Sequence, residues 1–433
     1  MSKIKYNDWS VIEDPRFKEL YSNTDAGLEP MFNLLEKLTS VPSTPGFEHG
    51  IALELVEIMK PLCDEVQVDH AGNVYGKKTG HPDGPVIMCP AHSDCVGFMT
   101  ESIEPSGYVR FTPMGMIPSF IAYGERVIII TGNGPVTGVV GTMPGHSLNI
   151  FGDADGRQDK AYHIPAPVYD NMYIDIGANS LDEALEMGVL PGQQIVYERP
   201  LRWLGDGSSG VVTGAGLDDK AGLVVLIEAL KLLKDKEIYP TVYMVGAATE
   251  ELGCRGAGIA GNYLNADMCI GVDGSVSEAG PETGSGKGIG TPPNVTKSEL
   301  PATVGGGVGI AINDIIMTSF AGLFGNQRLN SKLVSLAKKL DIPYQIEAQA
   351  QYVTSDPTAV QGTGFGGTPS VTLKLPMRYT HGPLETVSLY DMKACAELLA
   401  AFIEDLSPET FNLKFVDIPE ADGGCGKNRK GIK

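Results

Sequence analysis

Residues 86–99 read VIMCPAHSDCVGFM, a stretch that joins an apolar run to a polar, acid- and histidine-containing end. Its first six residues form an apolar run that predicts a buried β-strand. The run ends at His92-Ser93-Asp94, where polar side chains first follow a strand directly. In open α/β sheets, functional sites lie at the carboxyl ends of the strands. The stretch therefore predicts one strand of such a sheet, with a candidate site at its end.

The sequence on either side alternates between helical and strand patterns. Helices are predicted at residues 31–38, 51–59, 328–340 and 389–406, with another opened by Asp218 and one more beginning near Leu252. Further strands are predicted at residues 241–249, 266–272, 344–350 and 370–375. This alternation predicts an α/β fold, a doubly wound and mostly parallel sheet with helices on both faces.

Residues 100–197 have a different texture, with short β-type runs broken by glycine. They predict an inserted β-rich domain with one short helix around residues 181–186. The remaining residues, 1–99 and 198–433, then form the main domain. Residues 1–30 are polar and aperiodic, and we interpret them as an N-terminal extension of that domain.

The composition excludes several classes of partner. Lys and Arg number 33 against 53 Asp and Glu, which gives a formal net charge of −20. This charge repels a nucleic-acid backbone and an anionic membrane surface, so neither is an expected partner. The seven cysteines are odd in number and scattered, which indicates reduced thiols. Without a signal-peptide pattern or an apolar run of membrane-spanning length, a cytoplasmic location is expected.

Acidic residues and histidines follow the apolar strands at five places: His92, Asp218-Asp219, Glu250-Glu251, Asp273 and His381. Each alone has a simpler explanation, because a single histidine is usually solvated and an aspartate after a strand is often a helix N-cap. Together, at the strand ends of one sheet, they predict a shared site. Two imidazoles and three carboxylates suit a pair of Zn²⁺-like ions with one bridging carboxylate.

Two spacings suggest roles beside the metal ligands. In His92-x-Asp94 the side chains point the same way, so Asp94 is expected to accept the second imidazole proton of His92. The adjacent acids Glu250 and Glu251 repel each other, an arrangement that stability alone would not select. If one of them binds metal while the other faces the reacting water, the second is the general base of a hydrolase.

Seven stretches give a specific resemblance. They are DHAGNVYG from Asp69, AHSDCVGFM from Ala91, YIDIGA from Tyr173, GLDDKAG from Gly216, ATEELGCRGA from Ala248, CIGVDG from Cys269 and RYTHGPLE from Arg378. In these motifs the chain resembles the glutamyl and tetrahedral aminopeptidases, dinuclear metallopeptidases of the zinc aminopeptidase clan. The similarity runs over residues 38–403.

The resemblance implies a ligand for each position of the metal pair. Asp218 would bridge, Glu251 and His381 would complete one site, and His92 and Asp273 would complete the other. Asp218 is preferred to its neighbour because the family's ligand precedes a glycine by four positions, as Asp218 precedes Gly222. Two divalent ions per chain are expected, with zinc preferred and cobalt or manganese as alternatives.

The resemblance also implies the activity and the assembly. Glu250 would be the general base of an aminopeptidase that acts on short peptides with a free N-terminus. Asp356, in TSDPTAV, resembles a family loop near the cleft and is a candidate substrate contact. The family counterpart of residues 100–197 builds dimers that assemble into tetrahedral dodecamers, so a homo-oligomer is expected.

Some features depart from the family pattern, and two other functions remain open. Cys95-Val96 replaces the usual acid and aliphatic pair, residues 281–307 look like an insertion, and the N-terminal extension is long. One alternative is a metal-dependent amidase or deacylase on a non-peptide amide, because fold and metals do not fix the substrate. The other is a non-catalytic assembly protein of the same fold, against which the intact ligand set argues.

Overall fold

The structure is a computed structural model, and it describes residues 25–141, 168–277, 302–316, 321–350, 354–364 and 366–410. Most of the predicted N-terminal extension lies outside these residues, as does most of the 281–307 segment. Within the described residues, the helices are α1 (Glu29–Thr39), α2 (His49–Met59), α3 (Leu181–Glu186), α4 (Leu217–Leu233), α5 (Arg255–Leu264), α6 (Gln327–Leu340), α7 (Pro357–Val360) and α8 (Leu389–Glu404).

The strands form two groups along the chain. Those of the main sheet are β1 (Glu65–Val68), β2 (Val74–Lys78), β3 (Val86–His92), β10 (Arg202–Trp203), β11 (Val211–Gly214), β12 (Thr241–Ala247), β13 (Met268–Val276), β14 (Val308–Ile316), β15 (Ala321–Phe324), β16 (Tyr344–Ala350), β17 (Ser370–Arg378) and β18 (Glu385–Ser388). The others are β4 (Gly97–Ile103), β5 (Val109–Met114), β6 (Arg126–Thr131), β7 (Gly134–Gly141), β8 (Tyr173–Asp175) and β9 (Gln194–Tyr197).

The main sheet is mixed, so the prediction of a mostly parallel sheet is wrong. Its strands follow the order β1-β2-β12-β3-β13-β17-β18-β11-β10, with β14 to β16 attached beside β17. Only the central strands β12, β3, β13 and β17 pair in parallel along this path. The outer strands of this path pair antiparallel, whereas β16, beside the path, pairs in parallel with β14. The error has a physical reason, since a strand buried on both faces is continuously apolar whichever way its neighbours run.

Helices cover both faces of this sheet, as predicted. In β3, Ile87 and Cys89 belong to the large apolar core that includes α4 and α8. Met88, which lies between them, belongs to a smaller core with residues of α5 and Val360 of α7. Because successive side chains of a strand point to opposite faces, the sheet is the middle layer of three.

Helix α4 is buried over most of its length. Eleven consecutive residues, 217–227, are buried, and the last seven of them are apolar. The helix packs between α8 on one side and strands β3 and β13 on the other. A helix that is apolar all round fits only such a central position. Its N-terminus is thereby fixed relative to the carboxyl ends of the central strands.

The strands between residues 97 and 197 close into a barrel in the order β4-β5-β8-β7-β6-β9. Their inward side chains form a separate core that includes Phe98, Phe111 and Val127. The short helix α3 lies at the predicted residues 181–186. The division of the chain into two domains at residues 100 and 197 stays a prediction.

The described residues also bear on the expectations about membrane-spanning segments and cysteines. None of the helices there is long and apolar enough to cross a membrane. The cysteines there carry free thiols, and all of them except Cys63 are buried. Cys425 lies outside the described residues.

Candidate metal centre

The candidate ligands come from strand ends that point to one edge of the sheet. His92 is the last residue of β3, Asp273 lies in the neighbouring strand β13, and the Glu250-Glu251 pair follows β12. His381 follows β17, which runs parallel to these strands. Asp218 follows β11, which has the same direction as β17 because two antiparallel pairings through β18 separate them.

The structure brings these side chains together around Asp218. One carboxylate oxygen of Asp218, Oδ1, lies 3.3 Å from Nε2 of His92. The other, Oδ2, lies 3.8 Å from Nε2 of His381. Donor atoms of His92, Asp218 and Asp273 lie within 4.8 Å of one another, as do donor atoms of Asp218, Glu251 and His381. Asp218 therefore belongs to two donor groups, each of which has one imidazole and one further carboxylate.

Backbone carbonyls fix the tautomers of both histidines. Nδ1 of His92 lies 2.9 Å from the carbonyl oxygen of Asp94, and Nδ1 of His381 lies 2.9 Å from that of Met116. A carbonyl oxygen only accepts hydrogen bonds, so both Nδ1 atoms carry the proton. In the neutral ring, both Nε2 atoms then present a lone pair to the donor groups, as a metal ligand must.

The expected partner of His92 differs from the observed one. The carboxylate of Asp94 lies 3.7 Å from Nδ1, so the prediction that it accepts this proton is wrong. It accepts instead the backbone N–H groups of Glu250, at 3.0 Å, and Glu251, at 3.1 Å. Asp94 therefore holds the acid pair in place, while its backbone carbonyl orients His92.

The loop after β12 carries the acid pair in an unusual backbone conformation. Thr249 and Cys254 have positive φ values of 54° and 52°. Buried Asn73 fastens this loop, because its Oδ1 accepts the Ala248 N–H at 2.9 Å and its Nδ2 donates to the Gly256 carbonyl at 3.1 Å. No motif of acids or histidines points to Asn73, although it lies in the DHAGNVYG stretch.

Glu385 is a second residue whose role the sequence did not reveal. Its side chain is buried and accepts the backbone N–H groups of Asp218, at 3.0 Å, and His381, at 2.9 Å. Burial, together with the nearby charge of Asp218, raises the pKa of Glu385 to about 8. One carboxylate thus joins the two loops that carry Asp218 and His381.

Asp219 is a helix N-cap, which is the simpler explanation that the sequence offered for an aspartate after a strand. Helical dihedral angles begin after this residue, and its Oδ1 accepts the Gly222 N–H at 2.9 Å. This is the hydrogen bond of a helix N-cap. Among the described residues, the groups of donors close enough to share an ion include Asp218 and not Asp219.

The clustered carboxylates of the site favour the binding of cations. Burial and the neighbouring Asp218 raise the pKa of Asp273 to about 8, even though Lys374 lies 3.7 Å from its Oδ2 and opposes the rise. Burial and the charge of Glu250 raise the pKa of Glu251 well above its usual value. Oε1 of Glu251 has no hydrogen-bond partner among the described residues. Oxygen and imidazole donors at these separations fit divalent ions of the zinc class.

Asp356 lies at the same site, beside the acid pair. The residue is buried, with 3% of its surface exposed, and neither carboxylate oxygen has a hydrogen-bond partner within the described part of the chain. Its donor atoms lie within 4.8 Å of those of Glu250 and Cys254. Burial and the charge of Glu250 raise the pKa of Asp356 well above its usual value.

Comparison with known proteins identifies the family of this chain. The model of the M42 glutamyl aminopeptidase family matches residues 72–398. A putative aminopeptidase of Acetivibrio thermocellus is 31% identical over 377 residues, which cover 87% of this chain and 99% of the relative. The chain therefore belongs to the M42 glutamyl aminopeptidase family, and it is a metal-dependent aminopeptidase.

Solved structures give the same result. The aminopeptidase APDkam598 from the archaeon Desulfurococcus kamchatkensis superposes with a TM-score of 0.78 at 29% identity, covering 90% of this chain and 99% of that one. The TET1 peptidase of Pyrococcus horikoshii superposes with a TM-score of 0.69 at 28% identity, covering 87% of this chain and all of that one. The α/β character of the main sheet is common to this fold.

The raised pKa values predict how the metal-free protein responds to pH. Asp273 and Glu385 titrate near 4 when unfolded and near 8 when folded, so the folded state binds more protons between these values. Stability of the chelated protein should therefore fall as pH rises from 5 to 8. His92, whose pKa is raised by Asp218 and nearby acids against the effect of burial, adds to the same trend.

Urea denaturation in excess chelator at several pH values measures this trend. Asp273→Asn should flatten it, whereas Asp83→Asn, at a largely exposed surface position, should leave it unchanged. Saturating divalent ions should restore stability at pH 8, because they bind the ionised carboxylates. A metal-free protein that becomes more stable from pH 5 to 8 would contradict the prediction.

Proposed function

We propose that this chain uses two divalent metal ions to remove single residues from the N-terminus of short peptides. The observation that supports a metal pair is the position of Asp218, whose two oxygens face two separate donor groups. A carboxylate with this placement can bridge two ions, and each ion would keep one imidazole and one further carboxylate. His92 and Asp273 would hold one ion, and Glu251 and His381 the other.

Glu250 is placed for the proton transfers of peptide hydrolysis. When bound, the two ions would supply Lewis-acid activation of the attacking water and of the scissile carbonyl. Oε2 of Glu250 lies 4.0 Å from Nε2 of His92, and donor atoms of Glu250, His92 and Glu251 lie within 4.8 Å of one another, so the Glu250 carboxylate faces the candidate ligands. It would take a proton from the attacking water and return it to the leaving amine. Asp94 keeps Glu250 in position through its backbone N–H.

The charge of the site favours substrates with a free amino group. Asp356 is a buried acid close to the largely shielded Glu250, and its oxygens have no hydrogen-bond partner among the described residues. A protonated α-amino group brought next to them would supply the hydrogen bonds and the positive charge that are missing. We therefore assign Asp356 as the substrate contact predicted from the sequence.

The two alternatives receive less support. The substrate of a deacylase or amidase needs no free α-ammonium group. Without that group, nothing in the substrate would neutralise the negative charge of Asp356. A non-catalytic assembly protein has no need of Glu250 beside a complete donor set. For the metal we propose zinc, with cobalt or manganese as alternatives, because all five ligands are oxygen or imidazole donors. The free thiols among the described residues favour a reducing compartment, and we propose the cytoplasm.

We further propose that the barrel mediates self-association. The P. horikoshii TET1 peptidase assembles into a tetrahedron or a large octahedral shell. In this chain, large apolar side chains are exposed on and after α3, namely Leu181, Leu185, Met187 and Leu190, which are 37–50% exposed. An apolar patch of this kind is typical of a protein interface. A dimer is the proposed building block, and a dodecamer is the proposed assembly.

The roles of the adjacent acids are separable by mutation. Glu250→Gln should keep both metal ions but lower turnover by at least about 100-fold, because a general base contributes 10²–10⁴-fold. Glu251→Gln should also weaken metal binding, because it removes a ligand. Metal titration and steady-state kinetics measure both effects, with Glu65→Gln on the exposed edge strand β1 as the control. Near-normal turnover of Glu250→Gln would show that the base is another residue.

The substrate assignment is tested with one peptide in two forms. The free peptide should lose residues singly from its N-terminus, whereas its N-acetylated form should be cleaved about 10- to 100-fold more slowly, the loss expected for one charged hydrogen bond. Mass spectrometry over a time course follows both. Internal cleavage, or faster cleavage of the acetylated form, would instead support the amidase or deacylase alternative.

The assembly is tested by light scattering at micromolar concentration. The wild-type protein should have a mass well above the 46.0 kDa of one chain. Leu185→Asp should shift it to smaller species, because an acid in an apolar interface loses its hydration without gaining a partner. Leu232→Asp, at an exposed position of α4, is the matched control. A wild-type monomer would overturn the proposal.

A further inference from the structure

Cys254 lies beside the dinuclear site without belonging to it. Its side chain is buried, and its Sγ donates a hydrogen bond to Oε1 of Glu250 at 3.1 Å. The other oxygen of Glu250 faces His92. One carboxylate oxygen of Glu250 therefore contacts Cys254, while the other faces the proposed metal ligands.

Asp356 completes a further group of donors with Glu250 and Cys254. Sγ of Cys254 and carboxylate oxygens of Glu250 and Asp356 lie within 4.8 Å of one another. Both oxygens of Asp356 are without a hydrogen-bond partner among the described residues, although the residue is only 3% exposed. A buried carboxylate without a partner is costly, and a cation is the ligand that would offset the cost.

We propose that Cys254, Glu250 and Asp356 form a third cation site, which binds a thiophilic divalent metal such as zinc and inhibits the enzyme. A thiolate and two carboxylates are a donor set that zinc accepts, with donor distances of about 2.0–2.3 Å. The ion replaces the proton of the Cys254 thiol, which is released to solvent. Burial and the charge of Glu250 raise the pKa of this thiol, so the site should fill only when metal is in excess over the dinuclear pair.

Inhibition follows from the ligands that the third ion uses. Coordination would occupy Glu250, so that it could no longer accept a proton from water. It would also occupy Asp356, so the ion should compete with the amino group of the peptide. The proposal that a cation binds at this site does not depend on the proposed function. The proposal that it inhibits rests on the roles proposed for Glu250 and Asp356.

Cobalt titration monitored by absorbance tests the binding step. The dinuclear ligands are oxygen and nitrogen donors, so a thiolate-to-cobalt charge-transfer band can arise only from a cysteine. Wild-type protein should bind three Co²⁺ ions per chain, with the band developing at the third. Cys254→Ser keeps a hydroxyl donor near Glu250 and should bind two ions without the band. Cys63→Ser, at a half-buried cysteine away from the site, should behave like the wild type.

Activity at increasing zinc concentration tests the consequence. Excess zinc should inhibit the wild type competitively with respect to the peptide, and Cys254→Ser should need at least about 10-fold more zinc for the same inhibition. Saturation of the wild type at two ions, or a band that persists in Cys254→Ser, would overturn the site. A third ion that leaves turnover unchanged would overturn the inhibitory role. Turnover with two ions bound tests the proposed function separately.

Discussion

The site is dominated by the mutual repulsion of carboxylates that the fold buries at one edge of the sheet. Asp218, Asp273 and the Glu250-Glu251 pair converge there, and burial makes each negative charge more costly. Lys374 is a buried cation that offsets part of this charge, lying 3.4 Å from Asp314 and 3.7 Å from Asp273. The remaining negative charge favours the binding of metal ions. Because these carboxylates repel one another, the loops that carry them need support from residues other than the candidate ligands. Buried polar side chains give this support by accepting hydrogen bonds from backbone N–H groups of the loops.

The fold could be predicted where a single segment carries the signal. The apolar run before His92 indicated strand β3, and the long apolar pattern after Asp218 indicated α4, which occupies residues Leu217–Leu233. The direction of the outer strands could not be predicted, because a short strand such as β18 has no pattern that distinguishes parallel from antiparallel pairing. The start of α5 was placed three residues early, since positive φ at Gly253 and Cys254 delays the helix to Arg255.

For the site, the sequence indicated the residues that would bind metal and missed those that position them. Acids and histidines after strands are conspicuous, and the structure places His92 at 3.3 Å and His381 at 3.8 Å from carboxylate oxygens of Asp218. Asn73 and Glu385 act through hydrogen bonds to backbone amides of residues distant in sequence. Such contacts leave no pattern of residue types. The misassigned partner of His92 has the same cause, since the acceptor is a backbone carbonyl, which every residue carries.

The contact between His381 and the carbonyl of Met116 gives the barrel a part in the metal centre. Met116 lies just after strand β5, and the preceding Gly115 packs so closely on Val96 that a Cβ there would be 2.7 Å from its side chain. The two parts of the molecule are therefore not interchangeable modules. Removal of the barrel would take away the hydrogen bond that orients the imidazole of His381. A barrel transferred from a relative would have to supply an equivalent backbone carbonyl in place of that of Met116. This constraint falls on the rim of the barrel that carries Met116, whose backbone carbonyl orients a candidate ligand of the site.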